Sequence, residues 1–535
     1  MRQLFARTTT ATPEAGEGRS LRRVLGKWDL TARGVGATIG AGIFASTGSA
    51  IAGGHEHVGA GPAIVISLIL TAIACGFAAL CYAEFAAMVP VAGSAYTYAY
   101  AALGELIAWT IGWDLIIEYA IGNVAVSVSW SGYFVELLRT FGVQLPSWLI
   151  TDYRSAMKAA AAVASGTATP SMMAIASAVA DAPRVAGIPI VFNLPAVAIV
   201  AGITTLLVRG VKESVRANTA MVVLKVAIVL VFVLVGAFYV QPSNYTAYGG
   251  FAPNGFKGIG TAAALIFFAY IGFDAVSTAA EEAKDAKRDM PFAIIASLVI
   301  CTVVYILVAL VLSGIAPWNQ LGTAEPMLTA LSLAGGGGYI VSAARVFVGV
   351  GAVVAMTSVL LVFQLGQPRI FFSMARDGLL PPWAAKVHPR FRTPHVTTII
   401  TGVFVAVLSA FTNIDEAVEL TNIGTLFAFV LVSIGVIVLR IKEPDRPRPF
   451  RVPGSPVTPI LAAASCLFLM AQLPAVTWVR FGIWLAVGTA VYFSYGYRHS
   501  RLRTGIAPNV PDRLDEPADE PKATGQEGQE DDRAP

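Results

Sequence analysis

Residues 38–44 read Thr-Ile-Gly-Ala-Gly-Ile-Phe and lie inside an apolar stretch, about 30–52, long enough to cross a bilayer. Gly34, Gly36 and Gly48 flank them. Glycine costs about 1 kcal/mol in a helix interior relative to alanine, so this density needs a physical reason. Small residues let a neighbouring helix approach closely. Alternatively the helix breaks there and turns its backbone groups toward a ligand. The choice decides what kind of membrane protein the chain forms.

Working outward, hydrophobic residues make up 56% of the 535 and charged residues 13%, with a mean hydropathy of +0.68. Soluble domains carry roughly 25% charged residues, so most of the surface must face lipid. Twelve segments have the length and apolarity of a span: approximately 30–52, 62–88, 102–138, 188–208, 217–240, 258–283, 292–315, 339–374, 396–412, 417–440, 456–474 and 479–497. Lys and Arg gather before span one, between four and five, and after six, eight, ten and twelve; Arg22, Arg209, Lys287, Arg390, Arg448 and Arg503 are examples. The intervening loops carry almost none, which predicts both termini in the cytoplasm. Residues 1–27 read as a cytoplasmic segment without the apolar core of a cleavable signal, and 501–535 as a disordered acidic tail. The transporter-like body is 28–500, with a long extracytoplasmic loop at 139–187 rich in Ala and Ser. Cys75, Cys81, Cys301 and Cys466 fall in apolar runs and suit small core residues better than a disulfide or zinc framework.

Span six holds an echo of the opening motif: Phe267–Ser277 reads FFAYIGFDAVS. Both spans carry an Ile-Gly step near mid-membrane and lie five spans apart. Since five is odd, helices 1–5 and 6–10 would insert as inverted halves. Glycine-interrupted spans at matching positions of inverted repeats point to a transport site. An amino acid satisfies such breaks: its carboxylate takes N–H groups where a helix resumes, its ammonium the freed carbonyls. The pairing favours a break over simple helix contact.

The stretches GATIGAGIF (36–44), CYAEFAAMVPVAGSAYTYAY (81–100), FFAYIGFDAVSTAAEEAKDAKRDMP (267–291), RIFFSMARDGLLPP (369–382) and NIGTLFAFVLVSIGVIVLR (422–440) carry a family likeness. Over about 25–497 the chain resembles the bacterial cationic-amino-acid-transporter branch of the amino acid–polyamine–organocation superfamily. The resemblance implies an all-α polytopic fold of 12 transmembrane helices: two inverted five-helix repeats (LeuT-like 5+5), helices 1 and 6 broken, plus two C-terminal helices. It implies alternating access, a substrate carboxylate on the backbone of Gly40, Ala41 and Gly42, and an ammonium held by carbonyls near Thr38, Ile39, Phe268, Ala269 and Ile271. Phe268 occupies the place of an aromatic that closes over the substrate. Many relatives carry Ser or Thr where Ala41 stands, so a hydroxyl contact is lost while the amide N–H remains.

Ionisable residues inside spans are costly and read as functional candidates. Lys225 in span five either snorkels to the interface or, as in proton-coupled relatives, stands where sodium-coupled members bind their ion. Asp274 follows the span-six break. Glu118 lies near the centre of span three, with Asp114 four residues earlier on the same face. These acids could pair with a cationic substrate side chain, hold Lys225, or cap freed backbone amides. Glu84 reads as structural, and Glu281 and Glu282 as a solvated cluster or cytoplasmic gate. No histidine falls in a span, so an intramembrane enzyme or metal site has no support; no Gly-x-x-x-x-Gly-Lys motif suggests an ATP-driven pump. No cofactor and no nucleic acid is expected. The expectation is a plasma-membrane importer of cationic or small neutral L-amino acids, with protons as partner ion; exchange of amino acids and polyamines, or a channel, are the alternatives.

Overall fold

The computed structural model describes residues 25–54, 57–88, 95–166, 170–210, 215–274, 276, 283–334 and 338–505. Glu281 and Glu282, read as a solvated cluster or a gate, and the tail beyond 505 lie outside them. Helices dominate because lipid offers the backbone no hydrogen bonds, so each crossing segment must satisfy its own. In chain order they are α1 (Lys27–Thr38), α2 (Thr47–Ala52), α3 (Ile64–Met88), α4 (Ala95–Ala102), α5 (Glu105–Thr140), α6 (Tyr153–Ala164), α7 (Pro170–Asp181), α8 (Leu194–Arg209), α9 (Val215–Ala237), α10 (Gly255–Ile266), α11 (Ala286–Ile315), α12 (Pro326–Leu333), α13 (Tyr339–Arg376), α14 (His395–Phe411), α15 (Ile414–Lys442), α16 (Val457–Ala471) and α17 (Ala475–Val491).

Among the described residues seven helices are long and apolar enough to cross a membrane, or eight when α1 and α2 are taken as one span bent by 43°. The chain is a multi-pass membrane protein. The helices at the expected spans four, nine and eleven have 16, 17 and 15 residues. At 1.5 Å per residue they reach about 22–26 Å, short of the roughly 30 Å hydrocarbon core.

α5 packs along α13 and α15, and α3 along α11. α5 is buried over most of its length, whereas α17 lies largely on the outside. Outward faces are apolar: Val223 and Leu234 on α9, and Val403 and Val407 on α14, are exposed, the pattern of a surface solvated by lipid. The four cysteines are buried and unbonded to one another. Glu84 is structural as expected. Buried at the end of α3, it accepts Arg440 Nε at 3.0 Å and the Val452 amide at 2.7 Å, tying α3 to the end of α15.

The 139–187 loop contains α6 and α7, which pack on each other around Ala156, Ala178, Ala182 and Val191. Asp152 caps α6 by accepting from Ser155 N–H at 2.8 Å. Two short strands, β1 (Arg184–Val185) and β2 (Ile188–Pro189), pair antiparallel and close the loop. Arg154 and Lys158 of α6 both reach Glu416 at the start of α15, as does Arg480 of α17.

Candidate functional site

The helix of span one stops at the quoted motif. α1 ends at Thr38, and Ile39 turns extended with φ −74° and ψ 100°. The chain recoils at Ala41 through a single π-turn, Gly42–Ser46, into α2. Span six breaks likewise: α10 tightens into a 3₁₀ turn at Phe267–Tyr270, then leaves the helix at Ile271 with ψ 129°. Gly272 follows with φ +124°, a conformation that side-chain-bearing residues avoid.

The two spans run antiparallel. At one end Lys284 N–H donates to Leu25 O at 2.9 Å. At the other, Asn254 Nδ2 donates to Gly59 O and Thr261 Oγ1 to Val58 O, each at 2.8 Å. Between these ends the breaks meet backbone to backbone. A Cβ on Gly42 would sit 2.2 Å from Ala269 Cα, and one on Gly272 would sit 2.8 Å from the Ala37 carbonyl carbon. The glycines therefore serve both readings at once. Close approach and a break are not alternatives here: Gly42 sits in the break and also permits the contact. Gly36 and Gly48 are contact positions, pressed against Val222 and the Leu321 carbonyl.

Breaking a helix frees carbonyls, and each needs a donor when buried. Tyr305 on α11 supplies one hydroxyl to two of them, Thr38 O at 2.9 Å and Ala269 O at 2.8 Å, one from each break. A hydroxyl has a single proton to share, so neither carbonyl is fully satisfied. Tyr133 on α5 donates to Phe44 O at 2.6 Å. Asn422 on α15 donates to Ala264 O at 2.7 Å and Leu265 O at 3.1 Å. Where the helix resumes at Ala41, ahead of the π-turn, the first N–H groups have no carbonyl behind them in the helix. That is the anion-favouring end, and Val359 of α13 faces Gly40 across it.

Lys225 is buried, with its ammonium donating to Gly36 O at 2.7 Å, shortly before the span-one break. It does not snorkel, and its hydrogen bond goes to a carbonyl rather than to a carboxylate. Asp274 accepts from Gly272 N–H at 3.1 Å, which caps the amide freed by the break. Glu118 is buried on α5 one helical turn from Asp114, and both Asp114 and Asp274 lie close enough to act on it electrostatically. Both oxygens of Asp114, and Oε2 of Glu118, lie buried without a hydrogen-bond partner among the described residues. Of the expected site residues, Gly42 packs on Ala269, Thr38 shares the Tyr305 hydroxyl with Ala269, and Ile39, Gly40, Ala41, Phe268 and Ile271 are buried in the same two stretches.

A profile of the amino acid permease family matches residues 25–493. The chain belongs to the amino acid permease family. Similar proteins include the branched-chain amino acid permease BcaP of Bacillus subtilis, 46% identical over 484 residues, covering 90% of this chain and 95% of the relative. The methylthioribose transporter of the same bacterium is 44% identical over 503 residues, covering 94% and 100%. Human cationic amino acid transporter 4 is 29% identical over 610 residues, covering 90% and 88%. The resemblance to the amino acid–polyamine–organocation superfamily therefore holds, and the permease is a transporter rather than an enzyme.

Sequence reasoning about this permease missed Tyr305, Tyr133 and Asn422. Each is a polar side chain within a spanning segment; Asn422 also opens the family-like stretch 422–440, whereas Tyr133 and Tyr305 give no further signal. An apolar run with one Tyr reads equally as core; what distinguishes Tyr305 is its meeting with two spans distant in sequence.

Proposed function

We propose that this permease takes up L-amino acids by alternating access. The site lies between the two broken spans of a twelve-helix body built from two inverted five-helix repeats. The observation that carries the reading is the meeting of the two breaks, with one tyrosine hydroxyl stretched across carbonyls of both. The substrate ammonium, with three donors, completes what Tyr305 half satisfies at Thr38 and Ala269. The carboxylate takes the amides of Gly40, Ala41 and Gly42.

The substrate class is an apolar neutral amino acid. Supporting this, Val359 and Phe268 border the breaks, and Asp274 is engaged with Gly272 N–H. One relative at 46% identity is named for branched-chain amino acids. Cationic substrates are the second reading, favoured by the buried acids Asp114 and Glu118 and by the name of the human relative. Protons are the coupling ion, with Lys225 exchanging a proton as Gly36 O moves with α1; sodium has no role. The protein sits in the plasma membrane with both termini cytoplasmic.

Uptake of labelled leucine and lysine into proteoliposomes, under an imposed pH gradient and with or without sodium, tests this. Leucine accumulation driven by inside-alkaline gradients is expected. Sodium dependence overturns the coupling assignment, and saturable uptake of lysine alone overturns the substrate class.

A further inference from the structure

The last span does not stop at Val491. It runs on through a π-turn, Tyr492–Gly496, and one more turn, Tyr497–His499. Ser500 then leaves the helix with ψ 128°, and a final turn, Arg501–Thr504, ends at Gly505 with φ +66°. Arg480 lies near one end of this rod and Arg498 near the other, with no charged residue between them. The 18-residue step from 480 to 498 covers about 27 Å at 1.5 Å per residue. That is close to the hydrocarbon thickness of roughly 30 Å, so Arg498 and the residues after it lie at headgroup level.

The segment 492–504 has two faces. Inward, the Tyr492 hydroxyl donates to Glu105 Oε1 at 2.8 Å, Arg503 Nε to the same oxygen at 3.3 Å, and Ser500 Oγ to Oε2. Glu105, in the first turn of α5, is fully buried beneath them. Arg501 N–H donates to Asp377 O, just past the end of α13, at 3.0 Å. Outward, Phe493, Tyr497 and Leu502 continue the exposed apolar stripe of Val479, Ile483 and Val487 on α17. Arg498 and Arg501 are exposed beside them, and neither side chain makes a hydrogen bond or ion pair among the described residues.

We propose that Arg498 and Arg501 bind the headgroups of anionic phospholipids, and that this attachment holds the segment seated on Glu105. Continuity and charge name the occupant. The stripe leading to the arginines is solvated by acyl chains, so the group that meets them at its end is the headgroup of the same lipids. Residues 492–505 carry three arginines and no acid, which favours an anionic headgroup over a zwitterionic one. A guanidinium fork also matches phosphate oxygens in shape. The acids this segment meets are engaged on its inner side: Glu105 as described, and Asp377 by accepting from the Tyr96 hydroxyl at 2.6 Å. Arg501 is within electrostatic reach of Asp377, so Arg498 carries the larger share. Cations at a span end follow a general bias. What is particular here is that residues of one short segment alternate between lipid and a buried carboxylate. A lipid that binds the seated segment stabilises the seat. Under the topology proposed above, the lipid belongs to the cytoplasmic leaflet; the binding itself requires neither that topology nor transport.

The test uses the full-length, leucine-free protein, one copy per nanodisc, in phosphatidylcholine alone and in phosphatidylcholine mixed with phosphatidylglycerol. Amide hydrogen exchange of 497–504, corrected for intrinsic rates, reports the seat. Protection is expected to be greater with phosphatidylglycerol. Arg498→Gln should cut that gain about fivefold, Arg501→Gln should cut it less, and the two together should abolish it. Arg498→Lys with Arg501→Lys should keep most of the gain, because the charge remains. Glu105→Gln should lower protection in both lipids. Equal protection in the two lipids, or a gain that survives removal of both arginines, overturns the lipid site. Unchanged protection in Glu105→Gln overturns the link to the seat. The same protection from soluble glycerol phosphate in phosphatidylcholine nanodiscs also overturns the assignment, since the site would then take a free anion.

Discussion

Gly42→Ala is the most demanding perturbation, because one methyl group is placed where two spans touch. The new Cβ would lie 2.2 Å from Ala269 Cα and 2.6 Å from Ala269 N. Carbon atoms pack at about 3.5–4.0 Å, so the backbones must part by more than about 1 Å. The obstructing atoms are main chain and cannot rotate away. Overpacking of this kind costs about 1–3 kcal/mol, and here the displacement falls on the contact that sets the spacing of the Thr38 and Ala269 carbonyls. At 1.4 kcal/mol per decade, leucine affinity should fall about tenfold or more. The assay is equilibrium binding of labelled leucine to purified protein, with thermal unfolding run in parallel to separate binding from folding. Gly202→Ala is the control. Gly202 also sits in a helix but has no neighbouring atom within 4 Å of a built Cβ, so affinity should be unchanged and α8 slightly more stable. Leucine affinity within about twofold of wild type in folded Gly42→Ala protein would refute the claim that the crossing defines the site.

Other substitutions separate the roles assigned to individual side chains. Ala41→Ser should bind leucine as wild type does, since recognition is assigned to the amide. Tyr305→Phe leaves the Thr38 and Ala269 carbonyls without their shared donor, at a cost of about 1–3 kcal/mol; apo stability should drop and leucine should raise the melting temperature more than in wild type. A smaller ligand-induced shift would contradict the ammonium assignment. Lys225→Ala should abolish gradient-driven accumulation while equilibrium binding is weakened less; undiminished concentrative uptake would remove its coupling role. Glu416→Gln leaves Arg154, Lys158 and Arg480 crowded without their carboxylate, so limited proteolysis within 141–193 should accelerate. An unchanged cleavage rate would mean that the α6–α7 hairpin is held by its other contacts.

How much of this was legible in the sequence follows from the range of the interactions. The helical, membrane-spanning character is a compositional property and could be read directly. Both breaks could be placed, because a glycine in an apolar span is a local anomaly. That Gly42 also packs on Ala269 could not be read, since it depends on the crossing of two spans more than 200 residues apart in sequence. The expectation that the motif serves a break rather than a contact was therefore half right. Lys225 was recognised as exceptional, but its partner, Gly36 O, is a backbone group with no sequence signature. The same holds for Asp274, whose capping of Gly272 N–H was one of three roles left open. Tyr305 was invisible for the same reason, being defined only by the two carbonyls it joins.

The central claim is that a substrate amino acid sits between the two breaks with its charged ends on main-chain groups. A cryo-electron microscopy structure of the permease with bound leucine tests this most directly. The account predicts the carboxylate within hydrogen-bond distance of the N–H groups of Gly40 to Gly42, and the ammonium on carbonyls of residues 38, 39, 268, 269 or 271. Leucine bound elsewhere, or held at both ends by side chains with these backbone groups unengaged, would contradict it.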